Sequence, residues 1–110
     1  MPDYPKQTSV YWFDPEPNVG AEIRKIRPCV VISPDEMNES LKTVIIAPLT
    51  STILPWPFRL TITFLGQKSC IACDQLRAID KLRLRAYIGE LKQADSERLY
   101  LLLQTIFSVV

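Results

Sequence analysis

The stretch that decides the fold is Cys29-Val30-Val31-Ile32, together with Val44-Ile45-Ile46-Ala47 further along the chain. Both runs are rich in β-branched residues and do not alternate with polar side chains. Continuous runs of this kind are typical of strands that are buried on both faces. Turn-forming residues separate the two runs over residues 33–39. The sequence therefore predicts a central pair of neighbouring strands.

Weaker strand patterns surround this pair. Phe58, Leu60 and Ile62 alternate with polar residues, as expected of a strand with one buried face. Pro55 and Pro57 exclude the preceding stretch from any central strand. The additional strands are predicted over residues 10–13, 58–63, 70–78 and 86–91.

The C-terminal segment has helical periodicity. Asp95 is placed to cap a helix that runs to Phe107, and Leu101 and Phe107 widen its apolar surface. The apolar stripe consists of Leu99, Leu102, Leu103 and Ile106. Two arrangements fit this apolar surface. Either the helix packs on the β-rich body alone, or it packs on the body with one side and on a second subunit with the other. Several short strands and a terminal helix predict a mainly β fold, a small antiparallel barrel with a C-terminal α-helix.

Length and composition predict one cytoplasmic domain spanning residues 1–110. The chain is 47% hydrophobic and 23% charged, as in ordinary soluble proteins. No apolar run approaches the about 18 residues of a membrane span, so no membrane association is expected. The first seven residues lack the apolar core of a secretory signal.

The net charge of +1 hides an uneven distribution. Residues 1–40 carry four basic and seven acidic side chains, whereas residues 41–110 carry nine and five. The basic residues form two groups, which are Arg24, Lys25 and Arg27, and then Arg77, Lys81, Arg83 and Arg85. Either group is a candidate phosphate-binding face or simply solvated surface. So weak a net charge favours a short nucleic-acid ligand over a long duplex.

Several kinds of catalysis are excluded within the chain. It contains no histidine, so neither a Ser/His/Asp triad nor a histidine-pair ribonuclease site is possible. Cys70 and Cys73 have zinc-like spacing, but with Cys29 they fall short of four ligands. The three cysteines are therefore predicted to be reduced, buried packing residues, and neither a metal nor another cofactor is expected.

An ordered series of short motifs resembles the MazF/PemK toxins. The motifs are Val10-Tyr11-Trp12, Gly20-Ala21-Glu22, Arg27-Pro28, Ala47-Pro48-Leu49-Thr50-Ser51, Asp74-Gln75-Leu76-Arg77-Ala78-Ile79-Asp80 and Arg83-Leu84. The resemblance covers nearly the whole chain. Thr8-Ser9 departs from the family's usual Gly-Asp, and Pro15 replaces a usual hydrophobic residue.

The resemblance implies an SH3-like barrel, related to the gyrase poison CcdB, that forms homodimers. It implies metal-independent, sequence-specific cleavage of single-stranded RNA, which inhibits translation and growth, and inhibition by a cognate MazE-like antitoxin. The family's catalytic arginine and threonine correspond to Arg27 and Thr50, and a glutamate with an acid–base role corresponds to Glu22.

The residue chemistry is compatible with these roles. In metal-independent cleavage the ribose 2′-hydroxyl attacks its own phosphorus, which leaves 2′,3′-cyclic phosphate and 5′-hydroxyl ends. Arg27 offers a charged donor fork, and Thr50 and Ser51 offer neutral donors to the phosphate. The structural alternatives are an ion pair for Arg27, a simple turn at Thr50, and an exposed loop carboxylate at Glu22.

Other polar residues are assigned to RNA binding or to structure. Arg24 and Lys25 lie on the Pro/Gly-marked loop of residues 14–26, which an antitoxin is predicted to displace. Gln75 is a candidate base contact and Arg77 a candidate RNA contact, with an internal ion pair as the alternative for Asp74 and Arg77.

Two other functions compete with the ribonuclease. A CcdB-like protein binds gyrase without catalysis, and a small β-barrel also serves as a binding module. In that module Trp12 and Trp56 would form an aromatic recognition surface, although packing in the core or a loop is the favoured role for both.

Overall fold

The structure, a computed structural model, describes residues 3–15 and 26–109. Its strands are β1 (Ser9–Phe13), β2 (Arg27–Val31), β3 (Thr43–Thr50), β4 (Arg59–Phe64), β5 (Gln67–Ala72), β6 (Arg77–Asp80) and β7 (Leu84–Glu90). Its α-helices are α1 (Asp35–Ser40) and α2 (Gln93–Ile106), and short 3-10 helices span Cys73–Gln75 and Lys81–Arg83. The predicted mainly β fold with a C-terminal helix is confirmed.

All strand pairs are antiparallel, in the order β4-β5-β3-β2-β1-β7. The long strand β3 pairs on one side with β6 and then with β5. Pro48 lies at the changeover, between the pairing of Ile46 with Arg77 and that of Leu49 with Ile71. An imino acid that lacks an N–H is tolerated at such an interruption of the ladder.

The sheet curls until its two end strands meet at Gly89. A Cβ atom at this position of β7 would lie 3.4 Å from Cζ of Phe64 on β4. The φ angle of Gly89 is +155°, which also favours glycine. An added Cβ atom would make an ordinary van der Waals contact with Phe64, so glycine is favoured here by its φ angle rather than by lack of space.

The central strands bury both faces, as their continuous apolar runs predict. Val30 faces the core inside the half-barrel, whereas Cys29 and Val31 face a second core on the other side. We call the first group the barrel core; its buried members are Val10, Val30, Ala47, Leu49, Leu60, Ile62, Ile71, Cys73, Leu91 and Leu99. The second core consists of Tyr11, Phe13, Cys29, Val31, Val44, Ile46 and Ile79.

Helix α2 covers one end of the barrel core with its predicted stripe. Leu99 is fully buried, and the rest of the stripe is partly buried against the same core. Leu101 and Phe107 remain 64% and 66% exposed. The predicted start of the helix is wrong, because the helix begins at Gln93 and Asp95 lies in its first turn. In the described part of the chain, no helix has the length and apolarity needed to cross a membrane.

Two other local predictions need correction. Residues 33–39 do not form a simple turn, because α1 begins among them at Asp35 and ends at Ser40. Its buried Asn38 donates hydrogen bonds to the carbonyl oxygens of Pro5 at 2.9 Å and Ser33 at 2.8 Å, so long-range contacts stabilise the helix. Residues 70–78 are not one strand, because the 3-10 helix at Cys73–Gln75 separates β5 from β6.

Thr8 occupies a backbone conformation that suits glycine. Its φ angle is +67°, an unfavourable region for a β-branched residue. Its N–H donates to the carbonyl of Val31 at 2.8 Å, and its own carbonyl accepts from Leu91 at 3.0 Å. These two bonds connect β2 to the segment after β7 and hold the strained conformation.

The substitution Thr8→Gly is expected to stabilise the protein. Left-handed backbone costs about 1–2 kcal/mol for a residue with a Cβ, and the added chain entropy of glycine offsets part of this gain. We expect the free energy of unfolding to rise by about 1 kcal/mol in urea denaturation. Thr8→Ala is the control, because alanine retains the Cβ. Equal stabilisation by both variants would contradict the assignment of strain.

Candidate active site

The pairing of β2 with β3 brings the two predicted catalytic residues together. Cys29 pairs with Pro48 and Val30 with Ala47. Continuing this register by two residues places Arg27, the first residue of β2, opposite Thr50, the last residue of β3. Directly opposed side chains on antiparallel strands share a face and have Cβ atoms about 4.5–5.5 Å apart. Arg27 and Thr50, 23 positions apart in sequence, thus lie at neighbouring ends of two paired strands.

A turn fixes the hydroxyl group of Thr50. The backbone N–H of Thr52 donates to Thr50 Oγ1 at 3.1 Å. The hydroxyl therefore accepts one hydrogen bond from the protein and keeps its own proton to donate to a ligand. The turn predicted as the structural alternative is present, and it orients the hydroxyl without engaging its proton.

Arg27 and Thr50 line an open cavity of about 390 Å³, which we call the Arg27 cavity. Its lining residues are Trp12, Arg27, Pro28, Leu49, Thr50, Ser51, Thr52, Gln67 and Ser69. Arg27 is the one charged residue among them, and no carboxylate within residues 3–15 and 26–109 forms an ion pair with it. The cavity combines an exposed guanidinium with three hydroxyl-bearing residues of the β3 end, which suits a phosphate group.

Two further predicted site residues, Gln75 and Arg77, lie elsewhere in the structure. Gln75 is exposed on the 3-10 helix after β5, and Arg77 is half-buried on β6, opposite Ile46. Neither residue lines the Arg27 cavity. Glu22, Arg24 and Lys25 lie outside the described residues.

Six of the nine lining residues were not assigned to the site from the sequence, among them Gln67, Ser69 and Trp12. Gln67 and Ser69 lie on β5, and Trp12 lies on β1 with 40% of its surface exposed. Packing was the favoured role for Trp12, and that expectation is wrong. The polar side chains of Gln67 and Ser69, in the first half of a strand whose second half is apolar, were the signal available in the sequence.

Asp74 forms an internal ion pair, but its partner is Arg59. Nε and Nη2 of Arg59 donate to the two carboxylate oxygens of Asp74 at 2.9 and 3.1 Å. This hydrogen bonding lowers the pKa of Asp74 below its ordinary value. The Arg59 guanidinium also lies 5.0 Å from the ring centroid of Trp56. The ring centroids of Trp56 and Phe58 are 5.2 Å apart, and the two rings are tilted relative to each other. Trp56 thus packs in its loop, as predicted, beside the ion pair.

The three cysteines are free and buried, as predicted. Burial raises the pKa of Cys29 to about 12 and that of Cys73 to about 11. At neutral pH these two groups are thiols, and only a thiolate is an effective nucleophile. The buried state of the cysteines fits packing roles.

Comparison with known proteins identifies relatives over most of the chain. A family model described as the PemK-like, MazF-like toxin of type II toxin–antitoxin systems matches residues 6–107. The endoribonuclease EndoA of Bacillus subtilis (strain 168) is 36% identical over 92 residues, which cover 78% of this chain and 79% of that protein.

Solved structures share the fold. A MazE-MazF structure from Deinococcus radiodurans superposes with a TM-score of 0.82 at 23% identity, covering 96% of this chain and 97% of that one. A mycobacterial endoribonuclease in complex with its cognate antitoxin superposes with a TM-score of 0.80 at 20% identity, with coverage of 96% and 97%. The half-barrel with its terminal helix is therefore the fold of these solved structures.

Proposed function

Because the chain belongs to the PemK-like, MazF-like family of type II toxins, we propose that it is a sequence-specific endoribonuclease that inhibits translation and growth. The substrate is single-stranded RNA. The observation that carries the proposal is that Arg27 and Thr50, at neighbouring ends of the paired strands β2 and β3, line the same cavity. The guanidinium of Arg27, which forms no ion pair within residues 3–15 and 26–109, and the hydroxyl of Thr50, which keeps its proton to donate, together suit a phosphodiester that gains charge during reaction.

The proposed reaction uses a nucleophile from the RNA itself. The 2′-oxygen attacks the neighbouring phosphorus, the bond from phosphorus to the 5′-oxygen breaks, and a 2′,3′-cyclic phosphate and a 5′-hydroxyl result. Arg27 stabilises the charged phosphorane, while Thr50 and Ser51 donate hydrogen bonds to its oxygens. Glu22 is the proposed base that takes the proton of the 2′-hydroxyl, and the leaving 5′-oxygen takes a proton from solvent water.

RNA binding outside the cavity involves the remaining basic and polar residues. We assign Arg24, Lys25 and Arg77 to phosphates and Gln75 to a base. The loop that carries Arg24 and Lys25 starts at a fixed point, because Asp14 accepts a hydrogen bond from Arg85 at 2.7 Å. Arg85 of the second basic group is thus engaged within the protein.

The proposed partner is a cognate MazE-like antitoxin, and the proposed place of action is the cytoplasm. EndoA is named an endoribonuclease, and two of the structures that share this fold are of a toxin with its antitoxin. An antitoxin segment that covers the Arg27 cavity and displaces the loop of residues 14–26 would exclude RNA sterically.

Incubation of the purified chain with a mixed RNA, followed by mapping of the new ends, tests the function. We expect cuts at one short recurring sequence and protection by the antitoxin encoded beside the toxin. The competing gyrase-poison function predicts intact RNA and inhibited DNA supercoiling. A binding module predicts RNA retention without cuts, so either result would refute the proposal.

Dimerisation is expected through the exposed side of α2. Leu101 and Phe107 present apolar surface there, while the stripe beside them is already used by the barrel core. Leu101→Glu should weaken the dimer at least about 10-fold, because a charge would be placed in an apolar interface. Analytical ultracentrifugation measures the dissociation constant, and Gln104→Glu is the control on the same helix. A monomeric wild-type chain at micromolar concentration would contradict the expectation.

A further inference from the structure

The Arg27 cavity continues into a second, more apolar cavity. Five residues line both, and the second one adds Phe64, Leu65 and Ile88. The shared residues are Trp12, Pro28, Leu49, Gln67 and Ser69. The two cavities therefore form one groove with a polar end at Arg27 and an apolar end, which we call the apolar branch. Leu49 lies in the wall of both, directly before Thr50.

Trp12 stands at the junction of the two ends. It lines both cavities, and 40% of its surface is exposed although it is a large aromatic residue in a strand. Its neighbours in β1, Tyr11 and Phe13, are buried in the second core. The alternation of the strand thus directs the indole away from that core into the groove. An aromatic ring in a groove of this kind is a stacking surface for a nucleobase.

A strained hairpin forms the opposite rim. Phe64 pairs with Gln67, and the two residues between them, Leu65 and Gly66, have φ angles of +51° and +77°. Leucine rarely adopts this conformation, and Leu65 is also 73% exposed. The tight two-residue turn fixes the start of β5, which is Gln67. The rim therefore presents an apolar side chain and a carboxamide at defined positions.

Gln67 supplies the chemistry needed to recognise a base. A carboxamide offers both donors and an acceptor, so it matches the mixed donor and acceptor edge of a nucleobase. Ser69, two residues along the same strand, adds a hydroxyl, which donates a long hydrogen bond to the carbonyl oxygen of Gln67 at 3.5 Å. No acidic or basic residue lines the apolar branch within the described part of the chain. The branch thus suits a neutral, flat ligand with a polar edge.

We propose that the apolar branch binds one nucleobase next to the cleaved phosphate, stacked on Trp12 and read by Gln67. Gln67 is then a specificity-determining residue for the RNA sequence. This inference rests on the proposed ribonuclease function. An apolar side chain of a partner protein would fill the same walls, but it would leave the carboxamide of Gln67 without a hydrogen-bonding partner.

The test compares cleavage patterns of variants on a randomised RNA library. Gln67→Ala is expected to relax the preference at one position beside the cut by about 10-fold, with the other positions unchanged. Trp12→Leu should raise KM by about 10-fold for all sequences, and Trp12→Phe should restore most of the affinity. Lys68→Ala, on the next residue of β5, is the control and should leave the preferences unchanged.

Each result has a distinct meaning. If the wild-type chain cuts no RNA, the proposed function fails. If the wild type cuts but shows no base preference beside the cut, or if Gln67→Ala retains that preference, the inference is wrong and the ribonuclease function stands. Should Gln67→Ala be inactive, its affinity is measured for two oligonucleotides that differ only at that base and carry a 2′-deoxy nucleotide at the cut. If Gln67→Ala discriminates between the two oligonucleotides as strongly as the wild-type protein does, the inference is overturned. If the variant discriminates between them less, the inference is supported.

Discussion

Replacement of the 2′-hydroxyl by hydrogen at the nucleotide 5′ to the cut is expected to abolish cleavage. The chain has no histidine, and the Arg27 cavity offers donors and positive charge rather than a protein nucleophile. The RNA must then supply the attacking oxygen. Well-oriented intramolecular nucleophiles reach effective molarities of about 10⁵–10⁸ M, so their removal should reduce the rate below detection.

The measurement uses a short RNA that contains the mapped cut site, incubated with excess chelator. We expect full activity of the unmodified RNA, a 2′,3′-cyclic phosphate on the upstream product and a 5′-hydroxyl on the downstream product. A 2′-deoxy nucleotide placed two positions away is the matched control and should preserve cleavage. Cutting of the oligonucleotide deoxy-substituted at the cut, or strict dependence on magnesium, would refute the mechanism.

Much of the fold could be predicted from short-range patterns. Burial of β2 and β3 is indicated by their continuous β-branched runs. Burial of one face of α2 is indicated by its helical apolar period. Helix α1 was missed because six residues have no apolar period, and its stability depends on Asn38, which bonds to the distant Pro5. The break between β5 and β6 was missed because Cys73 is as apolar as its neighbours in the strand.

The candidate site could be predicted only in part, because it is assembled by strand register. Arg27 and Thr50 were found through motifs, whereas Trp12 and Gln67 belong to strands whose neighbours cannot be read from alternation alone. The partner of Asp74 was missed for the same reason. Arg59 reaches Asp74 because it pairs with Ala72, two residues before the carboxylate.

The substitution Arg27→Ala is expected to lower kcat/KM by about 10²–10³-fold, the usual effect of losing one donor to a developing oxyanion. Among the described residues that line the cavity, Arg27 is the one with a charge, and it is exposed at the start of β2, so its removal should change the chemistry far more than the fold. Arg27→Lys keeps the charge but loses the planar fork, and it should recover only part of the rate.

Thr50→Val tests the second half of the pair with almost unchanged volume. Thr52 orients the hydroxyl of Thr50 as a donor to the phosphate, so removal of that hydroxyl should lower kcat. Because valine has nearly the volume of threonine, the melting temperature should stay close to that of the wild type. Arg98→Ala is the control for Arg27→Ala, since Arg98 is an arginine of α2 outside the Arg27 cavity. Single-turnover cleavage at saturating enzyme separates the chemical step from binding. If Arg27→Ala and Arg98→Ala had equal rates at that step, Arg27 would be a binding residue at most, and stabilisation of the phosphorane would have to come from another group.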